Sequence, residues 1–292
     1  MNTTLTKLIG ALALYLFFNY GAYGQISGDT YAKAKAAGYG TITLSYVETP
    51  SFASANQQGQ IEGLCVDLME AFTAYVKEKE GITLNTGWKT IGDPNDFKVC
   101  MANMKAAQGG VFGLGNITIT EQRKKEYHFS PPFISNITVI ITHREVPTLT
   151  SINKIGNAFK GLKAYTVRGT TNELRILEIK QKHIPDLEVV YTEASTDMLE
   201  LVSKDRQSFS NLDFTYYLAI LKNQLPIKRH PVGDKSAEQF GIIMPKSNDW
   251  EPLMNSFMAS FTETTEYRKI ISRHLGSNAL RLLDTIVQSG NN

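Results

Sequence analysis

A chain of 292 residues with 42% hydrophobic and 20% charged side chains falls in the ordinary globular range, which excludes disordered and fibrous classes. At such a length folding buries about 75% of the surface an unfolded chain exposes, and chains of this size often divide into two compact units. Lys and Arg total 30 against 28 Asp and Glu, a formal net charge of +2, so no broad field attracts nucleic acid or an anionic membrane and specificity has to reside in a local site.

Residues 1–24 contain one charged side chain, Lys7, then an apolar run from Leu8 to Phe18, then Ala22-Tyr23-Gly24, in which two small residues bracket a larger one. The pattern predicts a cleaved signal peptide over 1–24 and a soluble mature chain beginning near Gln25. The run is shorter than the roughly 20 apolar residues that a bilayer span requires. No cysteine stands at the cleavage point to carry a lipid anchor, so an exported, periplasmic protein is expected.

Thr41–Val47 has strand character and is followed by a polar turn and a second candidate strand, Ile61–Val66, after which Asp67 is positioned to cap a helix. Leu68, Met69, Phe72, Tyr75 and Val76 recur at helical spacing. Phe97, Met101 and Met104 do the same, with Gln108-Gly109-Gly110 as a helix stop and Val111–Leu114 as a short buried strand. Thr138–Thr142 and Gly241–Met244 are apolar stretches that read as crossing or hinge-adjacent strands. Between them come a strand at Lys163–Val167, a helix over 172–182, a strand at Leu187–Tyr191, and helices beginning near Ser195 and Phe214. Trp250–Leu275 repeats apolar residues at helical spacing and forms a terminal helical cap, and a short amphipathic piece, Leu280–Val287, lies beyond it. Strands alternating with helices predict an α/β fold with parallel sheets covered on both faces.

Two cysteines, Cys65 and Cys100, are too few for a disulfide framework or a zinc cage. Export permits a bridge between them, and two buried thiols are an equal alternative. Thr118-Ile119-Thr120-Glu121 and Thr170-Thr171-Asn172-Glu173 each set a hydroxyl three residues before a glutamate, the spacing of a capping box. A helix N-terminus presents unpaired N–H groups and partial positive charge, which suit an anion, although ordinary capping explains either box taken alone. Arg123 follows the first box and can offer two parallel N–H groups to a carboxylate; a solvated surface charge is its plainer reading.

The run Gly115-Asn116-Ile117-Thr118-Ile119-Thr120-Glu121-Gln122-Arg123, followed by Phe129-Ser130-Pro131-Pro132-Phe133, resembles the signature of type II periplasmic amino-acid-binding proteins, the family 3 solute-binding components of ABC importers. Gly63-Leu64-Cys65-Val66-Asp67, Gly161-Leu162-Lys163 with Gly169-Thr170-Thr171, and Phe240-Gly241-Ile242-Ile243 extend the resemblance in order from about Thr41 to Gly276. It implies two Rossmann-like lobes joined by a two-strand hinge: residues 25–134 and 238–276 in lobe 1, 135–237 in lobe 2 with the hinge strands, and a tail over 277–292. By the same resemblance Arg123, Thr118 and the Thr171 N–H hold a ligand carboxylate, while Asp213 and the Asn116 carbonyl hold its ammonium. Phe52, Phe97 and Thr170 are expected to line the side-chain pocket. Without the family, Asp213 reads as a helix cap before Phe214.

A zwitterion fits such a site because each buried charge needs a charged partner to offset desolvation. The expected protein is a monomer that closes on a free amino acid and passes it to the membrane permease of an ABC importer, or to a receptor in a sensory variant. The chain departs from the family at Thr49, where an aromatic residue usually precedes the proline, at Asn116, where Gly or Ser is common, and at Lys204-Asp205-Arg206-Gln207-Ser208, which lacks the usual Gly and Asp-Ala. A dehydratase of the same fold is the enzymatic alternative. Against it stand the lack of a nucleophile elbow, a phosphate loop and paired histidines at metal-ligand spacing, and the missing third glycine after Gly113-Leu114-Gly115. No catalytic residue, metal or cofactor is expected.

Overall fold

The structure, a computed structural model, describes residues 25–277. The expected signal segment and the amphipathic piece Leu280–Val287 lie outside the described residues.

The chain opens with helix α1 (Tyr31–Ala37), whose Thr30 cap accepts from the Lys33 N–H, and strand β1 (Tyr39–Tyr46), which buries Ile42 and Leu44. A second strand was expected at Ile61–Val66, but only Ile61–Glu62 is extended. Gly63, at φ 139°, turns the chain so sharply that a side chain there would lie 2.5 Å from the Phe52 carbonyl group, and helix α2 (Leu64–Glu80) starts at once. Asp67 therefore lies inside the first turn and does not cap it; its carboxylate pairs with Arg273 and His274. The apolar spacing of Leu68, Met69, Phe72 and Val76 packs α2 into the core, and Gly81 ends it in the left-handed conformation.

Strand β2 (Thr83–Trp88), helix α3 (Phe97–Ala106), strand β3 (Val111–Leu114), helix α4 (Glu121–Glu126) and strand β4 (Tyr127–Phe129) complete the first pass through lobe 1. β1 lies between β2 and β3, parallel to both. After Phe133 the chain crosses as the long strand β5 (Ile134–His143), which extends the expected segment at both ends. Lobe 2 then follows as β6 (Lys163–Val167), α5 (Thr171–His183), β7 (Val189–Thr192), α6 (Ser195–Lys204), β8 (Ser208–Asp213), α7 (Phe214–Lys222) and β9 (Ile227–Arg229). Its strand order is β7-β6-β8-β5-β9, with the first three parallel and β5 antiparallel to β8.

The return strand β10 (Lys235–Phe240) pairs antiparallel with the first half of β5, setting Phe240 opposite Ile134 and Glu238 opposite Asn136. Of the strand expected at Gly241–Met244 only the second half is extended: β10 ends at Phe240 in the second sheet, and β11 (Ile243–Pro245) enters the first sheet between β3 and β4. Helices α8 (Glu251–Phe261) and α9 (Thr265–Leu275) close lobe 1, and Trp250 Nε1 donates to the Asp29 carbonyl at 2.8 Å. Lobe 2 has its own cluster around Ile140, Phe159, Ile176 and Phe209. His230 packs beside it, bonded to Thr142 and to the Leu149 N–H, and burial holds its pKa down to about 4. It is a neutral core histidine.

The cysteine alternative resolves to two free thiols. Cys65 Sγ contacts the Gly115 carbonyl and Cys100 Sγ the Tyr46 carbonyl, both at 3.6 Å. No helix among the described residues is long and apolar enough to cross a membrane.

Candidate functional site

In open α/β sheets the strand carboxyl ends are where backbone groups and following helix N-termini converge. Here the carboxyl ends of β1 and β3 face those of β6 and β8 across one cleft. Lobe 1 contributes Glu48, Thr49, Asn95, Phe97, Asn116, Thr118 and Arg123; lobe 2 contributes Thr170, Thr171, Asn172, Ser195, Asp213 and Tyr216. A wider, more open groove between α2 and the α8–α9 pair lies away from these strand ends.

Arg123 is brought to the cleft by α4, but the local geometry differs from the expected box. Thr120 is the cap, accepting the Arg123 N–H at 3.1 Å, so the Thr118 hydroxyl is left facing the cleft. There it lies 3.4 Å from the Thr171 hydroxyl of the opposite lobe and 3.4 Å from the Glu238 carboxylate. The guanidinium donates to the Thr118 carbonyl at 2.9 Å and across the cleft to the Gly169 carbonyl at 3.2 Å, and it lies 4.9 Å from the centre of the Phe97 ring. Gly169 adopts φ 78°, a left-handed turn before α5 that favours glycine. Burial pulls the guanidinium below its ordinary pKa range, while Glu238 chiefly, and also Tyr127 and Asp213, act to keep it charged.

The second box has the expected register. Thr170 caps α5 by accepting the Glu173 N–H at 3.1 Å, and the Glu173 carboxylate accepts the Gly169 N–H at 2.7 Å. Thr170 and Thr171 both reach the cleft wall.

Asp213 holds the cap position of α7, yet its side chain makes no capping bond. Its oxygens instead accept amide hydrogens from Asn116 at 2.5 Å, Asn136 at 3.0 Å and Asn172 at 3.5 Å, with Asn211 donating to Asn172 behind them at 2.7 Å. Burial, with Glu238 as the second cause, raises the Asp213 pKa to about 8 against the opposing effect of the three amides. Burial raises Glu238 as well. The two carboxylates flank the Asn136 amide on the hinge floor with no lysine or arginine ion-paired to either among the described residues.

The structure therefore gathers Arg123, Thr118, Thr171, Asp213, Asn116, Phe97 and Thr170 around one cleft. Phe52 does not join them. It is 1% exposed and packs against Phe133 and Phe240 in the lobe 1 core. The tight turn Thr49-Pro50-Ser51-Phe52, closed by bonds between Thr49 and Ala53, folds the ring inward, so sequence proximity to the expected loop is misleading. Reasoning from sequence also passed over Glu48, Asn136, Asn172, Tyr216 and Glu238. Asn136 carries a signal, a lone amide in the apolar run Ile134–His143; for Glu238 no local pattern exists.

Two α/β lobes linked by paired crossing strands, with a charged cleft between them, define a two-lobe binding-protein architecture. Residues 42–277 match the family described as bacterial extracellular solute-binding proteins, family 3, and the chain belongs to that family. Among solved structures, an ancestral arginine-binding protein bound to arginine superposes with a TM-score of 0.65 at 20% identity, covering 81% of this chain and 98% of that one. The arginine-, lysine-, histidine-binding protein ArtJ of Geobacillus stearothermophilus gives a TM-score of 0.64 at 18% identity, covering 81% and 95%. An ancestral amino-acid-binding protein described as a precursor of cyclohexadienyl dehydratase gives 0.61 at 16% identity, covering 80% and 95%. At these identities the likeness establishes the fold, the type II periplasmic binding-protein architecture. A comparison with curated protein sequences found no match.

Proposed function

We propose that this protein captures a free α-amino acid between its lobes outside the cytoplasm and delivers it to the permease of an ABC importer. The observation that carries the reading is the pairing of opposite charges in one cleft: the Arg123 guanidinium from lobe 1 and the Asp213 carboxylate from lobe 2. A zwitterion supplies a partner for each, which an uncharged solute does not. Arg123 still has N–H groups beyond the two that bond the Thr118 and Gly169 carbonyls, and the fork they form suits a carboxylate. The Thr118 hydroxyl and the N–H groups at the start of α5 add donors beside it. Asp213 offers the ammonium a carboxylate already oriented by three amides.

The family membership and the amino-acid ligands of the similar structures support the same reading. Closure follows from the construction. The cleft walls belong to different lobes, so a ligand touching both stabilises the closed state by its differential affinity for it, and that state is what a permease recognises. Several charge-assisted hydrogen bonds of roughly 1.5–3 kcal/mol each suffice for micromolar binding, about 8 kcal/mol, after ordering costs.

The test is calorimetry on Arg123→Ala and Arg123→Lys against a panel of amino acids. Arg123→Ala is expected to weaken binding at least about 100-fold, as loss of a bidentate charged contact requires. Arg123→Lys should fall between it and the unaltered protein. Undiminished affinity in a folded Arg123→Ala protein would place the carboxylate elsewhere.

A further inference from the structure

The cleft carries more negative charge than a simple zwitterion can use. Arg123 is the only cationic side chain among the described residues that line it, whereas Glu48 and Asp213 both line it and Glu238 reaches its Thr118 and Thr171 hydroxyls from the hinge floor. A ligand carboxylate on Arg123 and an ammonium on Asp213 leave Glu48 without a counter-charge, whereas Glu238 already feels the Arg123 charge and accepts from two threonine hydroxyls. Glu238 sits on the hinge floor between the two poles, accepting from the Thr118 and Thr171 hydroxyls at 3.4 and 3.5 Å and acting electrostatically on both Arg123 and Asp213.

Glu48 stands elsewhere, on the wall formed with Thr49 and Asn95. Its only hydrogen bond from the backbone is the Ala55 N–H, at 3.3 Å, and among the described residues no cation pairs with it. A carboxylate has about four lone-pair sites, so most of its acceptor capacity stays open. The surroundings accept as well as donate. The Tyr216 hydroxyl lies within hydrogen-bonding reach of Thr49 and Ser195 and feels the charges of both Asp213 and Glu48. At the rim, Asp93 orients the Asn95 N–H at 2.9 Å, adding a further negative charge on the Glu48 side. The cations close in sequence are engaged otherwise: Arg168 stacks on the Tyr191 ring and Lys89 donates to the Gln25 carbonyl. A half-buried carboxylate without a counter-charge is a standing cost, and a ligand that brings one removes it.

We propose that the physiological ligand is an α-amino acid whose side chain bears a second positive charge, of ammonium or guanidinium chemistry, and that Glu48 is the residue selecting it. The proposal rests on the zwitterion grip described above and names the ligand class of that site. An acidic side chain would meet Glu48 with like charge, and an aliphatic one would leave it unpaired. Phe97, beside Arg123 and Asn95, supplies an apolar flank for the methylene stem of such a side chain.

The experiment is calorimetry at pH 8 on the full mature protein and on Glu48→Gln, with L-arginine, L-lysine, L-glutamine, L-leucine, L-glutamate and agmatine. L-arginine or L-lysine should bind at least about tenfold tighter than any neutral or acidic amino acid, the scale of one charge-assisted contact. In Glu48→Gln the arginine-to-glutamine affinity ratio should drop by at least about tenfold on the same scale. A neutral or acidic amino acid that outcompetes both cationic ones overturns the inference and leaves the zwitterion grip standing. Agmatine, which lacks the carboxylate, binding as tightly as arginine overturns the grip and leaves the charge inference standing. An unchanged ratio in a folded Glu48→Gln protein removes Glu48 as the selecting residue, and absence of binding by every amino acid removes both readings.

Discussion

Replacing Asp213 by Asn should make the empty protein more stable in alkaline solution and the binding protein worse. Asp213 is 4% exposed, and what surrounds its oxygens is amide hydrogen, not a cation. Its pKa is raised from 3.8 to about 8, first by burial and then by the Glu238 charge. A carboxyl raised in this direction holds a proton in the folded state that the unfolded chain releases, so stability of the ligand-free protein is highest below about pH 4 for this group and falls as pH rises towards 8. The slope is about 1.4 kcal/mol per pH unit for a single site, so the fall between pH 5 and pH 8 is about 4 kcal/mol at most. With about 2–4 °C of Tm per kcal/mol for a chain of this size, thermal-shift curves of the two proteins should diverge by several degrees between pH 5 and pH 8. The variant keeps an amide where an acceptor is needed by three donors, so the measured gain stays below that ceiling.

Affinity moves the other way. At pH 8 the ammonium loses its anion, and binding should weaken by roughly 10- to 150-fold, the scale of one charge-assisted hydrogen bond. In the unaltered protein, affinity should improve as pH rises from 6 to 8, because ligand binding needs the ionised carboxylate. Parallel Tm–pH curves for the two proteins, or an unchanged Kd in Asp213→Asn at pH 8, would refute both the uncompensated charge and its role.

The two thiols should be silent in the native protein, since burial pushes both Cys65 and Cys100 up to about 12, with Asp96 and Asp93 adding to the effect at Cys100. Iodoacetamide at pH 8 should label neither until denaturant is added, and rapid native labelling would contradict the packing. Phe52→Ala should cost about 3–5 kcal/mol in urea unfolding, the price of a large buried aromatic, because the ring lies between Phe133 and Phe240. A loss under 1 kcal/mol would return Phe52 to the pocket wall.

Much of the architecture was legible in the order of residues. Val111–Leu114 and Lys163–Val167 are strands at the expected positions, and α6 and α7 begin at Ser195 and Phe214 as expected. These depend on period and capping, which act over a turn or a pleat. Where two local signals compete, spacing alone does not choose correctly between them. Thr118 and Thr120 both precede Glu121, and spacing favoured the wrong hydroxyl as the cap, although the choice is what frees Thr118 for the cleft. Local pattern places Gly63 in the middle of a strand, because nothing within a few residues reveals how near the Phe52 carbonyl comes.

What the amino-acid sequence determined by itself was the alternation of strand and helix and the presence of an arginine, two hydroxyls and an acid in order along the chain. Only the tertiary structure decided the charge balance of the cleft, because its members meet across long stretches of chain. Asn116 reaches Asp213 over 97 positions and Thr118 reaches Glu238 over 120. Electrostatic energy depends on separation in space and on the water removed between charges, and neither quantity has a period that a sequence can display.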